Sequence, residues 1–220
     1  MSYLPCVEIE PPGSASATII WLHGLGANGH DFEPIVPELR LPADAGIRFV
    51  FPHAPAIPVT INGGFVMPAW YDILDLSIDR KVDVTQLAAS AKKTQALIDR
   101  ELERGVSSER ILVAGFSQGG AVAYEAALSY PQRLAGIIGL STYFATEDTL
   151  QAHDANQGLV IFIGHGTHDP IVPERLGRYA SETLSGKGHS TTYKTYPMEH
   201  SVCPAEIVDI SQWLQTTLLQ

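Results

Sequence analysis

Three residues of this chain, in their order and settings, could together break an acyl bond. Ser117 sits in Gly115-Phe116-Ser117-Gln118-Gly119, Asp169 in His165-Gly166-Thr167-His168-Asp169-Pro170, and His200 in Pro197-Met198-Glu199-His200-Ser201. A serine hydroxyl is a poor nucleophile at neutral pH. It needs an imidazole to take its proton and a carboxylate to hold that imidazole in the right tautomer. The glycines flanking Ser117 suit a turn so tight that side chains two positions away on either side must be nearly absent.

His200 is selected as the base by elimination. His23 and His53 precede the serine and read as loop residues that support the site, while His30, His153 and His189 lie in polar stretches with no strand end to place them. His165 and His168 are too close to Asp169 along the chain to come from a second strand end. With Asp169 they could instead be metal ligands, but a zinc site needs a third or fourth ligand at a recognisable spacing, and none is visible. No metal and no cofactor is therefore expected. Among the acids, Asp148 and Asp154 read as loop residues and Asp209 falls on the last helix, which leaves Asp169.

These residues need elements that bring them together. Ile111 to Gly115 reads as a buried strand and Ala121 to Leu128 as a helix, so Ser117 stands at a strand–turn–helix junction. The bare pentapeptide would arise by chance in roughly one chain of this length in fifteen, so the junction is what makes it informative. Thr18 to His23, Arg48 to Pro52, Leu134 to Leu140, Leu159 to Ile163 and Thr191 to Tyr196 are further strands. Val84 to Gly105, Pro173 to Leu184 and Ala205 to Leu218 carry helical periodicity, with Val84, Leu87, Ala91, Ile98 and Leu102 on the inward face of the first. Alternating strands and helices predict an α/β chain with a mostly parallel sheet covered on both faces. In such sheets ligands collect beyond the carboxyl ends of the strands, where Leu25, Ser117, Asp169 and His200 all fall.

Two stretches carry competing readings. Gly24-Leu25-Gly26-Ala27-Asn28-Gly29 satisfies G-x-G-x-x-G, but Pro34 and Pro37 interrupt the helix that should follow. The second strand also ends in Pro52-His53-Ala54, with no acid for a ribose. The same loop could instead give a backbone N–H to an oxyanion. Ala54 to Lys81 is rich in Pro and Gly and reads as an irregular, flap-like insertion. Phe65, Trp70 and Tyr71 within it are expected to bind substrate, the alternative being that Trp70 and Tyr71 pack the loop onto the body.

Composition narrows the classes. The chain has 220 residues, enough for a single domain over 1–220 with a substantial core. A formal charge of -10, with 14 scattered basic residues, argues against nucleic acid or an anionic membrane surface as partner. No apolar run is long enough to span a bilayer and the N-terminus lacks a signal-peptide layout, so a soluble, cytoplasmic protein without stable membrane insertion is expected. Cys6 and Cys203 then read as free thiols. The oligomeric state is open, a homodimer included.

Longer motifs carry a resemblance. Leu22-His23-Gly24-Leu25-Gly26, Phe51-Pro52-His53-Ala54-Pro55, Ala69-Trp70-Tyr71-Asp72, Gly115 to Gly120, His165 to Pro170 and His200-Ser201-Val202-Cys203-Pro204 jointly resemble the acyl-protein thioesterase, lysophospholipase and carboxylesterase family of α/β-hydrolases, nearly end to end. The resemblance implies Ser117 as nucleophile, Asp169 and His200 as its partners, and the Leu25 and Gln118 backbone N–H groups as oxyanion hole. It implies an ester, thioester, acylated protein or lysolipid as substrate. Glu199 departs from the family's usual glycine and puts a carboxylate beside His200, where it bears on the imidazole's pKa and on the leaving group. The acidic surface and the apolar insertion favour neutral or zwitterionic substrates with short to medium acyl chains. A binding protein that kept the fold and lost the chemistry is the alternative from another class.

Overall fold

The computed structural model describes residues 3–75 and 81–219. The apolar runs become strands: β1 (Cys6–Ile9), β2 (Ala17–Leu22), β3 (Ile47–Pro52), β6 (Ile111–Phe116), β7 (Gly136–Leu140), β8 (Val160–Gly166) and β9 (Ser190–Tyr196). They form one sheet in the order β1-β3-β2-β6-β7-β8-β9. Only β1 runs antiparallel to its neighbour; the other pairs are parallel. β2, β3 and β7 are buried along their whole length, as expected for parallel strands covered on both faces.

The helices divide between the faces. Leu87 and Ile98 of α2 (Val84–Glu103), Val122 and Tyr124 of α3 (Gln118–Leu128), and Ala180 and Leu184 of α4 (Glu174–Gly186) join one core cluster. Ile35 of the short α1 (Ile35–Glu38) and Ile210, Leu214 and Leu218 of α5 (Pro204–Leu218) join the other. Val84, placed inward by periodicity, is 39% exposed because it opens α2 beyond the sheet's cover. β8 outruns its expected end at Ile163 because Gly164, His165 and Gly166 continue the ladder with β9.

The insertion is more regular than its composition predicts. β4 (Ala56–Val59) and β5 (Phe65–Pro68) pair as an antiparallel hairpin, closed by a 3₁₀ turn at Thr60–Asn62 and glycines 63 and 64 at positive φ. Its tail, residues 69–73, is buried against the body apart from partly exposed Asp72, and residues 76–80 of the expected flap lie outside the described residues. Cys6 and Cys203 are free thiols, and no helix among the described residues is long and apolar enough to cross a membrane.

Charge is buried far from the strands' carboxyl ends. Glu101 of α2, fully buried, accepts from Arg48 at 2.6 Å and from Thr18 at 3.0 Å, near the starts of β3 and β2, and pairs with Arg100 and Arg104. Burial opposes its ionisation, but these partners outweigh it and hold the carboxyl below its usual range. α2 is thereby pinned to the sheet at the end opposite Ser117.

Glu206, in the first turn of α5, lacks such partners. It is fully buried against Gly164, where an added Cβ would lie 2.0 Å from its Oε1. Neither oxygen meets hydrogen-bond geometry among the described residues, although the Cys203 N–H is near enough to favour ionisation in part. Burial dominates and pushes the carboxyl from 4.5 up to about 8. A folded-state pKa above the unfolded one means that stability is fully present below about pH 4.5 and is lost as pH rises toward 8, since the unfolded chain sheds its proton first. Glu206→Gln removes this loss. Its gain in stability is expected to be small near pH 4.5, to grow toward pH 8, and to level off beyond at about a few kcal/mol; the Tm difference in thermal unfolding across that range checks the slope.

Candidate active site

Ser117 occupies the turn between β6 and α3 with φ 53 and ψ -119, a conformation that costs of order 1–3 kcal/mol for a residue with a Cβ. Close packing imposes it. A Cβ on Gly115 would lie 2.3 Å from the Gly119 carbonyl, and one on Gly119 would lie 2.5 Å from the Leu22 and His23 carbonyls, so helix, turn and β2 approach as only glycines permit. The Ser117 N–H donates to Leu140 O (2.8 Å) and its carbonyl accepts from Thr142 Oγ1 (2.6 Å). The turn is thus tied to β7 as well.

Three strand ends bring the sequence-predicted residues into line. His200, four residues beyond β9, has Nε2 2.9 Å from Ser117 Oγ and Nδ1 2.6 Å from Asp169 Oδ2. The Nδ1–H donates to the carboxylate, which leaves Nε2 free to accept the serine proton. Asp169 follows β8, and its Oδ1 accepts from the N–H groups of Ile171 (2.9 Å) and Val172 (2.8 Å). Burial opposes ionisation of Asp169, yet the His200 and Val172 hydrogen bonds outweigh it and keep the carboxyl below its ordinary range. The group is an anion at neutral pH. Such a line can carry a proton from a hydroxyl to an imidazole and steady the imidazolium that results.

His165 supports the aspartate. It is fully buried, its Nε2–H donates to Val172 O at 2.8 Å, and the same nitrogen lies 3.6 Å from Asp169 Oδ2. Burial holds it below the usual histidine pKa, against the pull of the Val172 carbonyl and Asp169. His168 is exposed. Glu199 is exposed too, and among the described residues it makes no hydrogen bond or ion pair to His200.

Leu25 and Gln118 line the same cleft as Ser117, and their backbone N–H groups have no acceptor from the protein among the described residues. The loop bearing Leu25 is braced from behind. Trp70 Nε1 donates to His23 O (2.8 Å), the Ala54 N–H donates to His23 Nε2 (3.1 Å), and His23 Nδ1 donates to Gly24 O (2.7 Å). Burial keeps His23 neutral, the Gly24 carbonyl acting the other way. Gly26 N–H reaches Pro68 O of the hairpin at 2.8 Å. The Gln118 side chain closes the brace, accepting from Trp70 N–H (2.8 Å) and donating to Tyr71 O (2.6 Å).

These contacts correct three expectations. Trp70 and Tyr71 are buried behind the site, 1% and 0% exposed, and Phe65 is 68% exposed on the hairpin; none of them lines the cleft. Their polar atoms explain the burial, since Trp70 serves the His23 carbonyl and Tyr71 Oη lies 2.7 Å from Tyr143 Oη. The cleft, of about 370 Å³, is walled by Leu25, Ile61, Ile73, Phe116, Tyr143 and Ile171 around Ser117, with Asp31 on its edge. Ile61 and Ile73 belong to the insertion singled out in the sequence, but aromatic size pointed to the wrong members of it. Tyr143 and Ile171 carry no local signal, because they follow β7 and Asp169 in plain loops. A cavity of about 210 Å³ between residues 9–12 and 36–49 holds no paired nucleophile and base.

The sequence profile of the Phospholipase/Carboxylesterase family matches residues 4–218. Acyl-protein thioesterase 1 of Gibberella zeae is 37% identical over 214 residues, covering 92% of this chain and 91% of that protein. Among solved structures, Zea mays acyl-protein thioesterase 2 is 30% identical at a TM-score of 0.85, covering 98% of this chain and 100% of that one. Arabidopsis thaliana SOBER1 is 31% identical at the same TM-score, covering 92% and 99%. With its profile match, its parallel sheet and its thioesterase relatives, this chain belongs to the Phospholipase/Carboxylesterase family and has the α/β-hydrolase fold.

Proposed function

We propose that this protein is a serine hydrolase that cleaves carboxylic esters and thioesters, without a cofactor, through an acyl-enzyme on Ser117. The observation that carries the reading is the continuous hydrogen-bond line from Ser117 Oγ through His200 to Asp169. Ser117 Oγ attacks the substrate carbonyl as its proton passes to His200 Nε2. The resulting oxyanion is met by the Leu25 and Gln118 N–H groups, which sit at a loop and at the positive end of α3. Collapse expels the leaving group with the proton from His200. A water, deprotonated by His200, then attacks the acyl carbon, and the free acid departs as Ser117 regains its proton.

A fluorophosphonate probe tests the first step without knowledge of the substrate. Intact protein should label, and Ser117→Ala should not; label retained on that variant would remove Ser117 from the role. Ser117→Ala and His200→Ala should each lower kcat by several orders of magnitude, with the double variant little worse than either, because the two act as one unit. Near-additive losses would disqualify His200 as the base. Asp169→Asn is expected to be severe as well, since it favours the wrong tautomer.

Trp70 acts, in this reading, by holding the Leu25 loop rather than by touching substrate. Trp70→Phe keeps one aromatic ring, loses the volume of the other, and deletes the donor to His23 O. The buried carbonyl left unpaired should cost about 1–3 kcal/mol of stability. Loss of a fixed oxyanion donor should lower kcat about tenfold with KM little changed. A change confined to KM would return Trp70 to the substrate wall.

The acyl group is proposed to be short or medium. A cleft of about 370 Å³ falls at the small end of the roughly 300–1,000 Å³ range of ligand pockets. Each methylene buried against Ile61 and Ile73 is worth about 0.8 kcal/mol, so kcat/KM should climb a few-fold per added carbon until the cleft is full. p-Nitrophenyl esters from acetate to palmitate locate that limit, and Ile61→Trp should move it to shorter chains. A series that climbs through palmitate would favour long-chain acyl proteins or lysolipids; acylated proteins are the substrate class in the names of the thioesterase relatives.

A further inference from the structure

One carboxylate stands in the cleft with no cation beside it. Asp31, on the loop beyond Leu25, lines the cleft together with Ser117, Gln118 and His200. It is exposed, its N–H donates to Asn28 O at 3.0 Å, and none of the ion pairs or side-chain hydrogen bonds of the described residues uses its carboxylate. The neighbouring imidazoles do not serve it. His30 pairs with Glu33 at 2.7 Å, and His53 Nδ1 accepts from the Gly29 N–H. Among the described residues, no lysine or arginine lines the cleft.

A run of rings links the residue after Asp31 to the imidazole. Phe32, the next residue, has its ring 5.5 Å from that of Phe116, and the Phe116 ring lies 4.7 Å from that of His200. Asp31, Phe116 and His200 thus line one cleft, to which Ile61, Asn62 and Ile73 come from the hairpin and its tail. In the reaction proposed above, His200 delivers its proton to the leaving group, so the leaving group departs past His200 through the cleft that Asp31 also lines.

We propose that Asp31, with the ring of Phe116, selects esters and thioesters whose leaving group carries a positive charge, as in an alkylammonium alcohol or thiol. This rests on the serine-hydrolase reading. A carboxylate without a partner attracts an ammonium ion and repels a carboxylate or phosphate at the same place, and an aromatic ring in the same cleft suits the greasy surface of an alkylated ammonium. The site is exposed, so the attraction is screened and modest. About fivefold in kcat/KM is the scale for two unit charges in contact at a wet surface.

The test compares butyrylcholine with 3,3-dimethylbutyl butyrate, its uncharged isostere, on the full chain. The ratio of kcat/KM, charged over neutral, should be about five for the parent at low ionic strength and fall toward one in about 1 M salt. Asp31→Asn should bring the ratio to about one, and Asp31→Lys should take it below one, whatever the absolute rates. An enzyme that hydrolyses the neutral ester but shows no charge preference, or a preference that Asp31→Asn leaves intact, overturns this inference alone. If the p-nitrophenyl series favours a longer acyl chain, both esters carry that chain instead; inactivity toward both then overturns this inference, and absence of fluorophosphonate label on Ser117 overturns the serine-hydrolase reading with it.

Discussion

The approach of α3 to β2 and β6 through Gly115 and Gly119 is the contact on which the rest depends. It forces Ser117 into a positive φ, lifts the hydroxyl clear of the sheet and aims the first amides of α3 at the space above it. A methyl group at either glycine would drive backbone into backbone. The strain at Ser117 is held by the surrounding ladder, through Leu140 O and Thr142 Oγ1. Because that ladder belongs to the most buried strands, a costly local conformation persists in a fold whose net stability is small.

Around this turn the chain builds two separate supports. Behind Asp169 and His200, His165 and the amides of Ile171 and Val172 set where the carboxylate lies. Behind the Leu25 loop, Trp70, His23, Ala54 and the Gln118 side chain share a run of hydrogen bonds in which nearly every buried polar atom has a partner. Gln118 belongs to both the turn and the brace, so a shift in residues 70–71 is felt directly at the nucleophile's neighbour. The brace works without charge: both buried imidazoles are held neutral by desolvation, which leaves the Asp169 anion and His200 as the charged partners in the proposed chemistry.

Charge is segregated along the strands. The Arg48, Arg100 and Arg104 cluster around Glu101 is balanced by Glu8 and Glu10 at the sheet's far end, and among the described residues no lysine or arginine lines the cleft. Asp31 is thus left unopposed in a molecule with a formal charge of -10. The apolar walls bear on the acyl chain, whereas this carboxylate bears on what leaves, so the two halves of a substrate meet different physics in one cleft.

Much of the fold was legible because buried parallel strands and covering helices leave strong periodic signals, and the turn around Ser117 leaves its glycines. Strand, turn and helix order, and the candidates Ser117, Asp169 and His200, follow from types and spacing alone. The wall of the cleft does not. Phe65, Trp70 and Tyr71 were expected there on size, but a large aromatic lowers its free energy equally well by burial, and Trp70 found a buried carbonyl for its N–H. Antiparallel β1 and the hairpin were likewise hidden, since short edge strands carry little periodicity of their own. The sequence by itself determined which groups could act and on which strand ends they stand. Tertiary structure decided which of them meet, which imidazoles stay neutral, and which side chains face the substrate, because these depend on distances and desolvation between segments far apart in the chain.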